Sequence, residues 1–350
     1  MGFIFTVDLS KAARDGSKPA DAAIQDAINS VVAWGGGTIV LPRGIYRLDA
    51  PLDLSYSYES RRTGKLITGT PPNGLTLLGC GASASDRSGT FLSAGPQFRG
   101  PALIYSKLAS FLSIRGVGLH YAPSIGSGQA VMALTGDREY SQVLIDECSF
   151  SGGDGSAGDT VVVLNRCRGV RFRNCRFDGA AWGARTASDG SHDVTFEACA
   201  FTRQTDACVA RMENGWTFSA CRFEPTIDLL RPDAGQCFNS DQLMADTLSV
   251  MGCSLATMST VSANALLFSG CHFQAQAKGF VSAGGLQVTA GSGITLAGNR
   301  FESGAELMFD PQIHGVAILG NYFEMAPRQI TASAVVLGNR GIPNLPDGSL

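Results

Sequence analysis

Val143-Leu144-Ile145-Asp146-Glu147-Cys148-Ser149-Phe150 is followed by Val170-Arg171-Phe172-Arg173-Asn174-Cys175-Arg176-Phe177. Both carry apolar residues at alternate positions, a cysteine three residues further on, and a phenylalanine two residues after that. The pattern returns around Cys199, Cys221, Cys253 (with Leu255 in place of phenylalanine) and Cys271, and with asparagine in the cysteine slot at Asn299 and Asn321. Successive slots lie 18 to 32 residues apart. A unit this short cannot bury its own apolar face, so it must stack on copies of itself. The alternation has the strand period of two, which predicts two or three strands per unit joined by bends. The expected fold is therefore all-β: a parallel β-helix solenoid, with regular coils over residues 143–340.

Composition agrees with short strands and tight turns. Only 16% of the 350 residues are charged, and 43 are glycine. A net charge of −3 gives no field to attract nucleic acid, so no nucleic-acid partner is expected. No apolar run is long enough to span a membrane, and no membrane partner is expected either. Met1-Gly2-Phe3-Ile4-Phe5 lacks the basic start and apolar core of a signal peptide. Export without a leader and removal of one both fit this start.

Six of the ten cysteines share one slot of the repeat. Equivalent positions of a solenoid stack about 4.8 Å apart, near enough for pairing. Free buried thiols acting as small apolar side chains are the expectation. No CxxC pair and no Cys/His metal spacing is present.

One amphipathic helix is predicted over residues 21–34, with Ala23, Ile24, Ala27, Ile28, Val31 and Val32 at helical spacing. Asp21 is its expected N-cap and Gly35-Gly36-Gly37 its stop. Strands follow at Thr38-Ile39-Val40-Leu41 and Ile45-Tyr46-Arg47-Leu48. An open stack exposes core and strand edges, so the helix is read as a cap. Residues 1–50 then form the cap and first strands, 51–340 the β-helix with a polar loop over 55–74, and 341–350 a tail.

The opening segment carries a resemblance. Asp15-Gly16, Ala20-Asp21-Ala22-Ala23-Ile24-Gln25-Asp26-Ala27-Ile28 and Gly35-Gly36-Gly37-Thr38-Ile39-Val40-Leu41-Pro42-Arg43-Gly44-Ile45-Tyr46 resemble the N-terminal signature of the pectate-lyase-like superfamily, which phage tailspike depolymerases share. Gly320-Asn321-Tyr322-Phe323-Glu324 is similar to its late coils. The resemblance implies a right-handed helix, a polysaccharide partner, an extracellular or virion-associated location and a homotrimer. It does not choose among lyases, glycosidases, epimerases and binders. A narrower likeness joins Thr205-Asp206-Ala207-Cys208-Val209-Ala210 to the Asp-Asp-Cys-Ile-Ala segment of polygalacturonases, and Ala187-Ser188-Asp189-Gly190 to their Asn-Thr-Asp-Gly segment. Ala207 replaces the second aspartate, and neither Gly-His-Gly nor Arg-Ile-Lys follows.

Three segments containing Asp159, Arg185 and Asp206 align by their distance to the next repeat. With Val161, Val163, Ala184, Cys208 and Ala210 pointing inward, Arg185 is expected over Arg211, with Arg166 and Glu213 at the next outward position. Two guanidinium groups one rung apart require a shared anion. Glu213 is one candidate, and a carboxylate or sulfate of an acidic sugar is the other. Asp159 and Asp206 are expected two rungs, about 9 to 10 Å, apart. That is near the upper end of the carboxylate separation of inverting glycosidases, about 6.5–9.5 Å. Asp189 is a third candidate carboxylate, although aspartates also cap turns. A lyase or epimerase would instead use His192 as base, with Arg185 or Arg211 neutralising a uronate. His120-Tyr121 is a second such pair, and His272 is read as part of a solvated face.

Cleavage of an acidic polysaccharide by Asp159, Asp206 and Asp189 is the leading expectation, with Arg185, Arg211, Glu213 and Arg166 binding substrate. A lyase or epimerase and a non-catalytic spike are the alternatives. No cofactor or metal is expected, because the acidic loop at 152–159 lacks the spacing of a calcium loop.

Overall fold

In the computed structural model the residues described are 3–6, 14–55, 57–59, 66–68, 74–83, 88–107, 109–121, 129–136, 142–152, 159–187, 190–226, 235–240, 244–278, 281–324 and 334–341. Much of the 55–74 loop, most of the 152–159 loop (residues 153–158), Asp189 and the tail beyond 341 lie outside them. The chain divides into two compact units, Met1–Ala181 with Ala187–Gly190, and Trp182–Thr186 with Ser191–Leu350.

Each unit is a stack of coils with three parallel ladders. In the first unit, the first ladder includes Gly37–Val40, Leu75–Leu78, Leu112–Arg115 and Val143–Asp146. The second includes Gly44–Leu48, Ser88–Ala94, Val117–Tyr121 and Ser149–Gly152. The third includes Leu52–Asp53, Ala102–Ser106, Ala130–Thr135 and Thr160–Asn165. The second unit repeats the plan, with a first ladder from His192–Glu197 through Trp216–Ser219 to Val335–Leu337. Its long strands Met258–Ser269 and Gly285–Ala297 each run through two ladders.

The repeated slot is the corner between the first and second ladders. The residue before it takes a left-handed backbone, at Glu147, Asn174, Ala198 and Ala220, then at Gly252, Gly270, Gly298 and Gly320 in later coils. Glycine adopts that conformation without steric penalty, which is why it takes over. Two residues past the slot, phenylalanines stack from coil to coil. Phe150 lies 5.2 Å from Phe177, Phe201 5.0 Å from Phe223, and Phe273 4.4 Å from Phe301. Each such ring is fully buried, which stabilises by about 1.5–3 kcal/mol.

The slot residues do more than fill space. All ten cysteines are free, as expected, and nine are buried. In the first unit the thiol of Cys148 donates to the Ile114 carbonyl and that of Cys175 to the Ile145 carbonyl, both at 3.5 Å. In the second unit Asn299 Nδ2 donates to Phe268 O and Asn321 Nδ2 to Leu296 O, each at 2.9 Å. Cysteine and asparagine therefore perform one task, donating to a carbonyl of the preceding coil.

The helix spans Asp21–Ala33 and buries Ile24, Ala27, Ile28, Val31 and Val32. Its N-cap is Ala20, not Asp21, with no side-chain cap. Asp21 is instead the first helical residue, and its carboxylate accepts the Asp49 N–H at 3.4 Å. Gln25 closes the edge of strand Leu52–Asp53. Its Oε1 accepts the Asp53 N–H at 2.9 Å, and its Nε2 donates to Asp53 O at 3.0 Å. Among the described residues no helix is long and apolar enough to cross a membrane.

Candidate functional site

The third ladder carries most of the site residues that the sequence singles out. In the first unit Asp159 stands immediately before strand Thr160–Asn165, on the rung where the Thr160 N–H donates to Gln129 O at 3.1 Å. Asp159 is 0% exposed. Tyr121 lies close enough to feel its charge and that of Arg99. Burial is the main cause that raises the Tyr121 pKa, with Arg99 opposing and Asp159 adding to the rise. The Tyr121 hydroxyl donates to Gln129 Oε1 at 3.1 Å, and Phe98 packs edge-on against its ring at 5.2 Å. His120 points elsewhere, with Nδ1 2.7 Å from Ser151 Oγ on the second ladder. Arg166, half-buried at the end of its strand with a left-handed backbone, keeps Nε buried without a hydrogen-bond partner among the described residues.

In the second unit Trp182 and Arg185 share strand Trp182–Thr186, and the Arg185 guanidinium lies 6.0 Å from the indole centroid. The next rung sets Ala207 opposite Trp182 and Ala210 opposite Arg185. The rung after that supplies Gln236 and Asn239. Alanines in the middle rung leave room for the larger side chains on either side. Gln236 Oε1 is buried and has no hydrogen-bond partner among the described residues. Asp206, half-buried, stands at the head of strand Ala207–Ala210 and its carbonyl accepts the Gln236 N–H at 2.9 Å.

At the opposite end of these strands His192 Nε2 lies 3.8 Å from Glu213 Oε2. The Arg211 N–H donates to Asn239 O at 3.1 Å, and its own carbonyl accepts the Thr186 hydroxyl. Glu213 is thus placed beside His192, and Arg211 sits on the same corner of the stack.

Two expectations are corrected. Arg185 does not lie over Arg211, because register pairs Arg185 with Ala210. The corner from Arg185 to Thr195 is longer than that from Ala210 to Thr217, although Thr195 and Thr217 are paired. Counting back from the repeat therefore slips. In strand Thr160–Asn165 the inward residues are Val162 and Leu164, not Val163, which is half-exposed opposite Ala133. Val161 is buried as well, so parity is hidden from the sequence. Trp182 and Gln236 were not singled out from the sequence, and Tyr121 entered only beside His120 as a second lyase-type pair. An aromatic beside an arginine in a three-tryptophan chain was the available signal.

Residues 139–329 match the family described as right handed beta helix region, and residues 4–228 match rhamnogalacturonase A/epimerase, pectate lyase-like. No curated protein matches the chain. Among solved structures, the tailspike gp49 of Acinetobacter baumannii bacteriophage Fri1, a capsular polysaccharide depolymerase, is similar with TM-score 0.62 and 12% identity, over 96% of this chain and 62% of its own. ORF18 of Geobacillus virus E2 gives TM-score 0.61 and 15% identity over 92% and 62%. The Dettilon tailspike gp208 gives 0.58 and 9% over 96% and 66%. The chain thus spans less than two thirds of each of these proteins. At such identities the likeness is one of fold.

Proposed function

Since the chain belongs to the pectate-lyase-like family of right-handed β-helices, we propose that it binds and cleaves an acidic extracellular or cell-surface polysaccharide by carboxylate-based hydrolysis. The observation that carries this reading is the third-ladder surface of the second unit, where Arg185 lies over Trp182 and the unpartnered Gln236 Oε1 stands two rungs on, across the small Ala207 and Ala210. An indole face stacks on the apolar face of a sugar ring, and a guanidinium grips a carboxylate or sulfate. The buried Gln236 amide oxygen accepts a hydroxyl proton only once it is uncovered.

Asp206 leads among the carboxylates. It stands at the head of the same ladder and keeps some exposure, so a glycosidic oxygen or an attacking water can reach it. Asp159 has no exposed surface, so it acts on substrate only after its cover moves. Asp189 is the remaining candidate, and Arg211 and Arg166 are assigned to substrate binding. One pair favours a second reading. His192 beside Glu213 is suited to removing the proton next to a uronate, as a lyase or epimerase requires.

Incubation with acidic and neutral polysaccharides distinguishes the readings. Hydrolysis gives new reducing ends without ultraviolet absorbance, and Asp206→Asn abolishes them with the circular dichroism unchanged. Absorbance from an unsaturated sugar, lost in His192→Ala, establishes the second reading in its place. Retention on the polymer with neither product leaves a binder.

A further inference from the structure

Beyond Arg185 the third ladder of the second unit keeps an outward column in register. Ala210 stands beside Arg185, Asn239 beside Ala210, Thr260 beside Asn239, Gln287 beside Thr260, and Met308 beside Gln287. The strand neighbours Ala184, Phe238, Val261, Leu286 and Leu307 are buried, so the column faces outward, and all of it but Ala210 keeps some exposure. Arg185 and Glu306 are the charged residues of these six strands, one on the first rung and one on the last. Between them lie four rungs of alanine, amide, hydroxyl and amide. The step from Arg185 to Gln287 covers about 19 Å along the stack.

Folding does not ask for this row. Asparagine is depleted from strands, and the second ladder of the same unit solvates its outer face with charge, in the Arg222–Glu224 and Arg300–Glu324 pairs. Neither the Thr260 hydroxyl nor the Gln287 amide is held by another side chain among the described residues. An amide offers donors and an acceptor, and a hydroxyl offers both as well, which suits the hydroxyl groups of a neutral sugar. A carboxylate laid on the same rungs would lose water without meeting a cation, and on the last rung it would meet Glu306.

On the footing that this ladder is the polysaccharide site, we infer that Thr260 and Gln287, with Asn239, determine which polymer is accepted. Neutral, hydroxylated units lie along their rungs, and an acidic unit lies at Arg185 and Trp182. The polymer then runs along the stack with its acid at one end of the track. A site built to hydrogen-bond hydroxyl groups discriminates against a ligand that leaves its polar groups unpaired. A polymer with a carboxylate on every unit is therefore a poor ligand, and one whose uronates are separated by neutral units is a good one.

The test is retention of the full chain in native gels that contain one polymer at a time, at an ionic strength of about 0.15 M, where attraction between distant exposed charges is screened. The probes are gellan and hyaluronan, in which neutral units separate the uronates, polygalacturonate, in which every unit is a uronate, and neutral dextran. The parent is expected to be retained by at least one mixed polymer and less by polygalacturonate and dextran. Thr260→Val and Gln287→Met keep the shape without the hydrogen bonds, and each should weaken that retention about fivefold. Gln287→Lys should gain retention by polygalacturonate, which decides the matter even where the neutral variants misfold. Three outcomes overturn the selection and leave the acidic-polysaccharide site standing: equal retention of the parent by polygalacturonate, unchanged retention of both neutral variants, or no gain in Gln287→Lys. Retention by none of the polymers, or retention that Arg185→Ala leaves unchanged, overturns the acidic-polysaccharide site and the selection with it.

Discussion

Asn299 and Asn321 are joined twice: the Asn321 carboxamide oxygen accepts both the Asn299 backbone N–H at 2.8 Å and the Asn299 Nδ2 at 2.9 Å. Asn339 continues the line by accepting the Asn321 N–H at 2.7 Å. Both inner members are buried, at 1% exposure. Replacing Asn321 with alanine strands the Asn299 donors and the Leu296 carbonyl away from water, at a cost of about 3 kcal/mol. Asn321→Cys should cost about half as much, because a thiol restores the bond to the preceding coil. Denaturant melts of the two variants check the order, and equal losses would refute the shared role of the slot.

Asp146 lies between two arginines, one rung on either side. Arg173 forks onto it with Nε–Oδ1 at 2.9 Å and Nη2–Oδ2 at 2.6 Å, and Arg115 Nη2 reaches Oδ2 at 3.0 Å. The Arg173 hydrogen bonds, helped by Arg115 and opposed by burial, lower its pKa from 3.8 to about 2. The sign follows from this depression. The stabilisation is complete above the unfolded value of 3.8 and is lost as the pH falls through about 2. Its size is about 1 to 2 kcal/mol once solvent screening of the exposed guanidinium groups is included. Asp146→Asn should therefore flatten the fall in stability between those pH values. Parallel pH profiles for the two proteins would count against the assignment.

Cys80 is the exposed thiol of the ten. Among the buried ones, Cys208, Cys221, Cys237, Cys253 and Cys271 resist ionisation. Burial pushes Cys237 up to about 11, and the neighbouring Cys199 thiol, with burial, pushes Cys221 up to about 12. A thiolate reagent should titrate one equivalent in the native protein, and all ten after unfolding. Cys80→Ser should remove the native signal. More than one equivalent in the parent would mean that the stack opens on the time scale of the reaction.

The fold was legible because corner, slot and phenylalanine recur in a fixed order, and stacking demands that order. Cys148 and Asn321 show that the slot accepts either side chain because each has a donor aimed at a carbonyl of the coil before it. The candidate site was less legible. The third ladder follows connections of unequal length, so the partner of Arg185 slipped from Ala210 to Arg211. Adjacent buried residues such as Val161 and Val162 erase the alternation that would give direction. The approach of Arg185 to Trp182 depends on how two side chains bend along one strand, which spacing does not encode.

Stacked parallel strands are also the architecture of a fibril, and a fibril grows wherever a backbone edge offers free donors and acceptors to a passing chain. Gln25 occupies both backbone groups of Asp53 with a side-chain amide. The amide engages that residue without extending the sheet, so at this rung the helix presents a seeding strand with nothing to template.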